Sequence, residues 1–265
     1  MSTPMLWREE DAEAFRGTLV IAAERLGVQP LAVEKDYWVC QALRAMSSTH
    51  PGELVFKGGT SLEKLRIVRR FSEDLDLLFV GTRESNRGAR AALRNLLQIA
   101  ASATGSAPTV GTGGGTPGSF HREGYLTPTM RHRGAPGAIA DPAAILVELA
   151  QAGTHGWPRI GRQFYDIWAL LRTPEVRSLL QDAPLVAEIL TSARAVSERL
   201  GRPDAPTPPG GFAASPALAP DGELADRLRR EHDAAMRDLY YGTEPPPTFD
   251  DVLEQVHTDA LLLRA

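Results

Sequence analysis

Two aspartates separated by one residue lie in an apolar run, and their spacing suggests metal chemistry. Asp74 and Asp76 alternate with Leu75, Leu77 and Phe79, and in an extended strand residues two apart point to the same face. Two carboxylates on one face repel each other unless a cation lies between them. Because magnesium takes oxygen ligands and accepts phosphate oxygens in its shell, the pair is a candidate Mg²⁺ site. The alternative is an edge strand whose charges discourage aggregation.

A Gly-Gly turn precedes this strand and could hold a chain of phosphates. Gly58 and Gly59 follow a short apolar strand and stand just before a helix expected to begin near Ser61. Glycine allows a ligand to approach the backbone closely, and the N-terminus of a helix attracts anions. The turn and the acidic strand together favour a site for a metal-bound nucleoside triphosphate. Taken alone, the glycines could serve only a tight strand-to-helix turn.

Composition and charge restrict the class of protein. A chain of 265 residues, 43% hydrophobic and 23% charged, is ordinary for a globular protein of one large or two small domains. The net charge of -4 excludes a basic nucleic-acid coat. The single cysteine, Cys40, excludes an internal disulfide. Since no run approaches a membrane span and no leader is visible, we expect a cytoplasmic protein without a membrane anchor.

The periodicity of apolar residues predicts the elements that position these groups. The expected helices lie at residues 9–26, 31–46, 61–71, 86–103, 162–172, 175–200, 222–241 and 248–264. The expected strands lie at residues 54–56, 74–80, 125–131 and 144–149. Residues 102–119 and 201–222 are rich in glycine and proline and predict loops. The GTGGG run in the first of them is interpreted as loop, because no clear strand precedes it.

The order of these elements indicates an α/β (α+β) fold. A small mixed sheet follows the first helices, and a helical part closes the chain. We expect one domain at residues 1–155, with the sheet and the N-terminal helices, and a helical domain at residues 156–265. The second domain would complete the cleft of the first.

Several stretches of the sequence together resemble one protein family. They are VEKDYWV (33–39), FKGGTSLEK (56–64), RFSEDLDLLF (70–79), ILVELAQAG (145–153), RQFYDIWALL (162–171) and YYGTEPPPTFDDVLEQV (240–256). The glycine turn and the acidic strand resemble the nucleotidyltransferase superfamily. The longer set is similar to the AbiEii/MenT-like nucleotidyltransferase toxins of bacterial toxin–antitoxin and abortive-infection systems. The resemblance implies a nucleotidyltransferase-like mixed sheet with flanking helices.

The resemblance also implies roles for the central residues. Ser72 and Asp74 fall on the family's Ser/Thr-x-Asp active-site pair, and Asp76 would be the second metal carboxylate. The nucleotide would be bound by the turn, which comprises Lys57, Gly58, Gly59, Thr60 and Ser61.

Two further carboxylates are candidates for the site. Asp166 matches a family aspartate needed for activity, although its position four residues after Arg162 alone would indicate an exposed ion pair. Glu148 is a candidate third carboxylate, and its alternative is a charge on an edge strand or rim.

One feature departs from the family pattern. The family carries a lysine, thought to contact the nucleotide phosphates, between its LVEL-like strand and its FYDIW-like helix. Here no lysine follows Lys64. An arginine such as Arg159 or Arg162 could replace it, Lys57 could serve, or the chain has lost activity. Arginine binds phosphate with a fork geometry that differs from the point charge of lysine.

The resemblance implies a Mg²⁺-dependent toxin that transfers a nucleotide from an NTP to an RNA acceptor. The expected acceptor is the 3′ end of tRNA, and the expected protein partner is a cognate antitoxin. Two alternatives stay open. The chain could be a degenerate member that binds a nucleotide or a partner without turnover, or an NTP-dependent phosphotransferase that uses the same metal site.

Overall fold

A computed structural model describes residues 7–72, 74–83, 85–107, 109–116, 119–132, 145–150, 161–199 and 208–264 of the chain. The described residues form a mixed α+β fold, which confirms the predicted fold class. The helices are α1 (Trp7–Glu10), α2 (Ala12–Leu26), α3 (Pro30–Thr49), α4 (Gly58–Lys64), α5 (Asn86–Thr104), α6 (Gly161–Arg172), α7 (Pro174–Leu180), α8 (Ala183–Arg199), α9 (Glu223–Leu239) and α10 (Phe249–Thr258). The strands are β1 (Leu54–Lys57), β2 (Asp74–Phe79), β3 (Thr109–Thr116), β4 (Ser119–Leu126) and β5 (Ile145–Ala150).

The five strands form one mixed sheet in the order β1-β2-β5-β4-β3. Strand β2 pairs antiparallel with β1 and parallel with β5. Strand β4 pairs antiparallel with both β5 and β3. The acidic strand β2 therefore lies inside the sheet. The alternative interpretation, in which the two aspartates protect an exposed edge strand, is wrong.

One face of the sheet carries the main core. Leu75 and Leu77 are fully buried and Phe79 is 1% exposed, and they share a hydrophobic cluster with the inner sides of α3 and α5. Helix α5 begins with a side-chain cap, since Ser85 accepts a hydrogen bond from the Gly88 N–H. These helices cover one face of β2 and so direct its alternate residues to the opposite face.

The chain divides into two compact units. The first comprises Met1–Ser61, Arg70–Gln151 and Asp238–Glu244, and the second comprises Leu62–Arg69, Ala152–Arg237 and Pro245–Ala265. The predicted boundary between residues 155 and 156 lies outside the described residues. The first unit contains the sheet, and the second has its own hydrophobic core around Phe164, Leu228 and Phe249.

The first unit includes a short segment from the end of the chain. Phe71 donates its N–H to the carbonyl of Leu239 at 3.0 Å, and Arg70 forms a β-bridge with Tyr240. The rings of Phe71 and Tyr241 lie 4.8 Å apart. Residues far apart in sequence therefore fix the backbone that leads into β2.

The predicted helix at residues 61–71 is wrong at both ends. Helix α4 begins at Gly58 and ends at Lys64. Arg66 then adopts a left-handed conformation with φ of 62°, which interrupts a right-handed helix. Leu65, just after the end of α4, is 70% exposed.

The predicted loop at residues 102–119 is also wrong. Helix α5 continues to Thr104 and is capped by Gly105 at φ of 64°, after which β3 pairs with β4 through Thr116. The glycine-rich run is therefore a strand, with a register shift between Val110 and Gly113. Correspondingly, the strand predicted at residues 125–131 ends at Leu126.

The predicted loop at residues 201–222 lies partly outside the described residues, because residues 201–207 are not described. Its remainder contains two 3-10 helices, Phe212–Ala214 and Pro216–Leu218. None of the helices in the described ranges is long and apolar enough to cross a membrane.

Candidate active site

The acidic pair lies on the face of β2 opposite the main core. Asp74 and Asp76 are half-buried and alternate with the buried Leu75, Leu77 and Phe79, so the predicted common face is confirmed. Ser72 donates its hydroxyl to Oδ1 of Asp74 at 2.9 Å. The structure thus brings together Ser72, Asp74 and Asp76, which the sequence assigned to one site.

A side-chain hydrogen bond joins the glycine turn to this strand. Thr60 donates its hydroxyl to the backbone carbonyl of Asp74, and Ser61 donates its hydroxyl to the carbonyl of Gly58 at 2.7 Å. Thr60 is 1% exposed, so its bond to β2 is protected from water. The turn and the acidic strand are therefore adjacent, as predicted. The hydrogen bond from Thr60 to the Asp74 carbonyl is one of the contacts that hold them together.

Gly58 is required at its position for two reasons. Its φ of 73° lies in the left-handed region, where side chains are unfavourable. A Cβ atom at Gly58 would also collide with the carboxylate of Asp76. The close approach of the turn to Asp76 therefore depends on the absence of a side chain.

A glycine is also required at position 59, because the side chain of Arg70 lies against its α-carbon. A Cβ atom there would come within 2.5 Å of Nη2 of Arg70, and Arg70 is only 1% exposed. Because the guanidinium is buried in a closely packed interior, even a methyl group at position 59 would force it and its neighbours to shift. The sequence explained Gly59 by the approach of a phosphate, whereas the space beside its α-carbon is occupied by Arg70.

Lys57 stands beside the acidic pair. It is in register with Asp76 on the neighbouring strand, and residues directly opposite each other in an antiparallel pair share a face. Of the substitutes considered for the family lysine, Lys57 is therefore the one whose strand position places it next to Asp76. Arg159 lies outside the described residues, and Arg162 belongs to α6 in the second unit.

The register of the sheet aligns two glutamate positions with Asp76. Glu148 of β5 is opposite Asp76, and Glu123 of β4 is opposite Glu148. Since β5 lies between β2 and β4, the interpretation of Glu148 as an edge-strand charge is wrong. The sequence pattern did not identify Glu123, because this residue lies between the predicted loop at residues 102–119 and the predicted strand at residues 125–131.

Helix α6 belongs to the second unit. Its Asp166 is 8% exposed, so the exposed position that the spacing suggested is wrong. The adjacent Tyr165 accepts a hydrogen bond from the Arg69 N–H through its hydroxyl at 3.0 Å. That Asp166 and Arg162 face the acidic pair stays a prediction.

A buried histidine holds the beginning of α6. His232 is fully buried, with Nδ1 3.2 Å from the Gly161 carbonyl oxygen and Nε2 2.9 Å from the Pro247 carbonyl oxygen. Each contact places a ring nitrogen beside an acceptor, so His232 bridges the start of α6 to the turn before α10. The orientation of α6 within the second unit therefore depends on His232.

The donor set suits a hard divalent cation. Among the described side chains, no group of three or more His, Cys, Asp or Glu residues could hold a metal ion. The side chain of Glu148 is outside that set. Magnesium in nucleotide sites is bound by one or two carboxylates together with substrate phosphates and waters. Asp74 and Asp76 provide that number of carboxylates, so the residues fit Mg²⁺.

The glycine turn bound to a strand with a same-face acidic pair is the arrangement that the resemblance to the nucleotidyltransferase superfamily implies. Comparison with known families gives the same class. Residues 41–133 match the family described as nucleotidyl transferase AbiEii toxin, type IV TA system, which confirms the resemblance seen in the sequence. The matched residues include the turn and β2, and they end before Glu148 and Asp166. No curated protein matches the chain.

Proposed function

We propose that the protein is a Mg²⁺-dependent nucleotidyltransferase toxin of a type IV toxin–antitoxin system. It transfers a nucleotide from an NTP to an RNA acceptor, the 3′ end of tRNA, in the cytoplasm, and a cognate antitoxin counteracts it. The observation that carries the proposal is the contact of the Gly58 turn with Asp76 on the strand that also presents Asp74. The family match over the same residues supports it.

The chain's own residues bind and orient the triphosphate. The turn at residues 58–61 receives the phosphates beside the acidic pair, and Lys57 offsets part of their negative charge. Ser72 keeps the carboxylate of Asp74 in one orientation through its hydrogen bond. A bound Mg²⁺ would neutralise charge on the triphosphate and polarise the phosphorus that is attacked.

The proposed reaction is an in-line displacement at the α-phosphorus. The 3′-oxygen of the RNA forms a bond to that phosphorus, the bond to the β-phosphate oxygen breaks, and pyrophosphate leaves. The proton of the attacking hydroxyl passes to a carboxylate, for which Asp166 and Glu148 are the candidates.

The test is incorporation of α-labelled NTPs into total tRNA by the purified chain with Mg²⁺. We expect label in RNA from at least one of the four NTPs, and none after Asp74→Asn. If no NTP labels RNA although Mg-NTP binds in calorimetry, the chain is a nucleotide-binding protein without turnover. The missing lysine after Lys64 is the observation that favours this second candidate.

A γ-labelled NTP separates the proposed reaction from phosphoryl transfer. Nucleotide transfer releases the γ-label with pyrophosphate, whereas a phosphotransferase places it on the acceptor. Label from the γ-position in the RNA would therefore replace the nucleotidyltransferase assignment with the phosphotransferase.

A further inference from the structure

Arg70 is among the largest fully buried side chains of the described residues, with 1% of its surface exposed. Burial of a guanidinium is unfavourable unless its N–H groups find partners. Its Nη1 donates to the Phe71 carbonyl at 3.2 Å, and its Nη2 lies against Gly59. Such a side chain is inaccessible to a substrate, so any effect on the site must pass through the residues it contacts.

Two paths lead from Arg70 to Asp74. Along the chain, Arg70 is two residues before Ser72, whose hydroxyl binds Oδ1 of Asp74. Across the turn, Arg70 packs on Gly59, and the next residue, Thr60, binds the carbonyl of Asp74. The guanidinium therefore fills the space between the nucleotide turn and the segment that leads into β2.

The backbone of Arg70 is itself fixed by the end of the chain. Tyr240 forms a β-bridge with Arg70, and the carbonyl of Leu239 accepts the N–H of Phe71 at 3.0 Å. With its backbone anchored on one side and its guanidinium packed on the other, Arg70 sets the spacing between the turn and Asp74.

We propose that Arg70 is a positioning residue that holds the glycine turn at the distance from Asp74 at which a triphosphate is bound. The inference rests on the proposed function, because it takes the turn as the triphosphate site. It assigns to Gly59 the role of admitting the guanidinium and to the segment at residues 238–244 the role of anchoring Arg70.

The first test is Arg70→Lys, which keeps the charge and removes the planar fork. An ammonium group cannot both fill the space beside Gly59 and donate to the Phe71 carbonyl. We expect the KM for the NTP to rise roughly tenfold, while the KM for the RNA acceptor changes less than about twofold. Arg44→Lys, on the exposed side of α3, is the matched control and should leave both values unchanged.

A merely structural role predicts a different pattern. It lowers the fraction of active enzyme, and so reduces the apparent kcat with both KM values unchanged. Active-site titration of each variant measures that fraction. A fall in kcat alone, or wild-type kinetics for Arg70→Lys, would overturn the positioning role.

The second test does not require turnover. Gly59→Ala should lower the urea midpoint of unfolding, because its Cβ displaces Nη2. In the Arg70→Met background, which lacks the guanidinium, most of that loss should disappear, so that the two substitutions are strongly non-additive. Additive losses would contradict the packing of Arg70 on Gly59. Arg70→Lys replaces Arg70→Met in this cycle if the methionine variant does not fold.

The two tests also separate this inference from the proposed function. If the wild type transfers no nucleotide, the proposed function fails, while the coupling of Gly59 to Arg70 is still measured by unfolding and by calorimetry with Mg-NTP. If the wild type is active and Arg70→Lys has wild-type kinetics, only the positioning role fails.

Discussion

Ser72 donates a hydrogen bond of 2.9 Å to Oδ1 of Asp74, and this bond joins the two residues of the Ser-x-Asp pair into one unit. Ser72 is 1% exposed and Asp74 is half-buried. A protected bond of this kind restricts the rotation of the carboxylate, which would favour binding of the proposed Mg²⁺.

Loss of the Ser72 hydroxyl should weaken catalysis without abolishing it. Ser72→Ala frees the carboxylate of Asp74 to rotate, and we expect about a 10- to 100-fold loss of single-turnover nucleotide transfer. Ser47→Ala, which removes an exposed hydroxyl of α3, serves as the control. Full activity of Ser72→Ala would show that the hydrogen bond does not prepare the site.

The turn offers a second prediction with a close control. Gly58 and Gly27 have φ values of 73° and 69°, but only Gly58 has a neighbour within reach of a new Cβ, the carboxylate of Asp76. Gly27→Ala should cost about 1 kcal/mol from backbone conformation alone. Gly58→Ala should cost more and should also weaken Mg-NTP binding in calorimetry. Equal losses of stability, with Mg-NTP affinity unchanged, would contradict the contact with Asp76.

A third prediction concerns the second unit. His232→Ala removes the bridge between the Gly161 and Pro247 carbonyls and leaves both buried acceptors without it. We expect the free energy of unfolding to fall by about 1–3 kcal/mol, measured by urea denaturation. The exposed His257 provides the control substitution, His257→Ala, which should change stability little. Similar effects of the two variants would argue against the bridge.

A fourth prediction concerns how the free energy of unfolding changes at acidic pH. Hydrogen bonds from Arg83 and then from His50 lower the pKa of Glu53 from 4.5 to about 2. A carboxyl group with a depressed pKa contributes stability that is present above its unfolded pKa and lost as the pH falls through its folded pKa.

Glu53→Gln should therefore reduce the pH dependence of stability between about pH 4.5 and pH 2. The effect should be small because the group is at the surface, where water screens ion pairs. Thermal unfolding across this range measures it, with Glu24→Gln as the control at an exposed position. An unchanged slope for Glu53→Gln would show that the Arg83 and His50 bonds do not persist in solution.

The alternation of apolar and polar residues correctly predicted the shared face of Asp74 and Asp76. The period of two in residues 74–79 placed Asp74 and Asp76 on one face, because alternation in a strand is a property of the backbone. The glycines were expected to precede the helix, whereas Gly58 and Gly59 form the first residues of α4. The role of Gly59 was not predictable, because it depends on Arg70, whose burial is decided by tertiary packing.

Tertiary contacts also explain the errors. Leu62, Leu65 and Val68 have helical spacing, yet the left-handed Arg66 ends the pattern. The glycines of β3 carry no apolar signal, and their strand exists through pairing with β4. Asp166 looks exposed from its spacing and is buried in the fold, which no single-helix pattern can indicate.

The proposed metal-dependent nucleotide transfer depends on the Asp76 carboxylate beside the glycine turn. The most direct measurement is single-turnover transfer from an α-labelled NTP to tRNA by the wild type and by Asp76→Asn, with Mg²⁺ and with EDTA. We expect transfer by the wild type only with Mg²⁺ and a loss of at least about 10³-fold in the folded Asp76→Asn variant. Wild-type rates of transfer by Asp76→Asn, or transfer in EDTA, would contradict it.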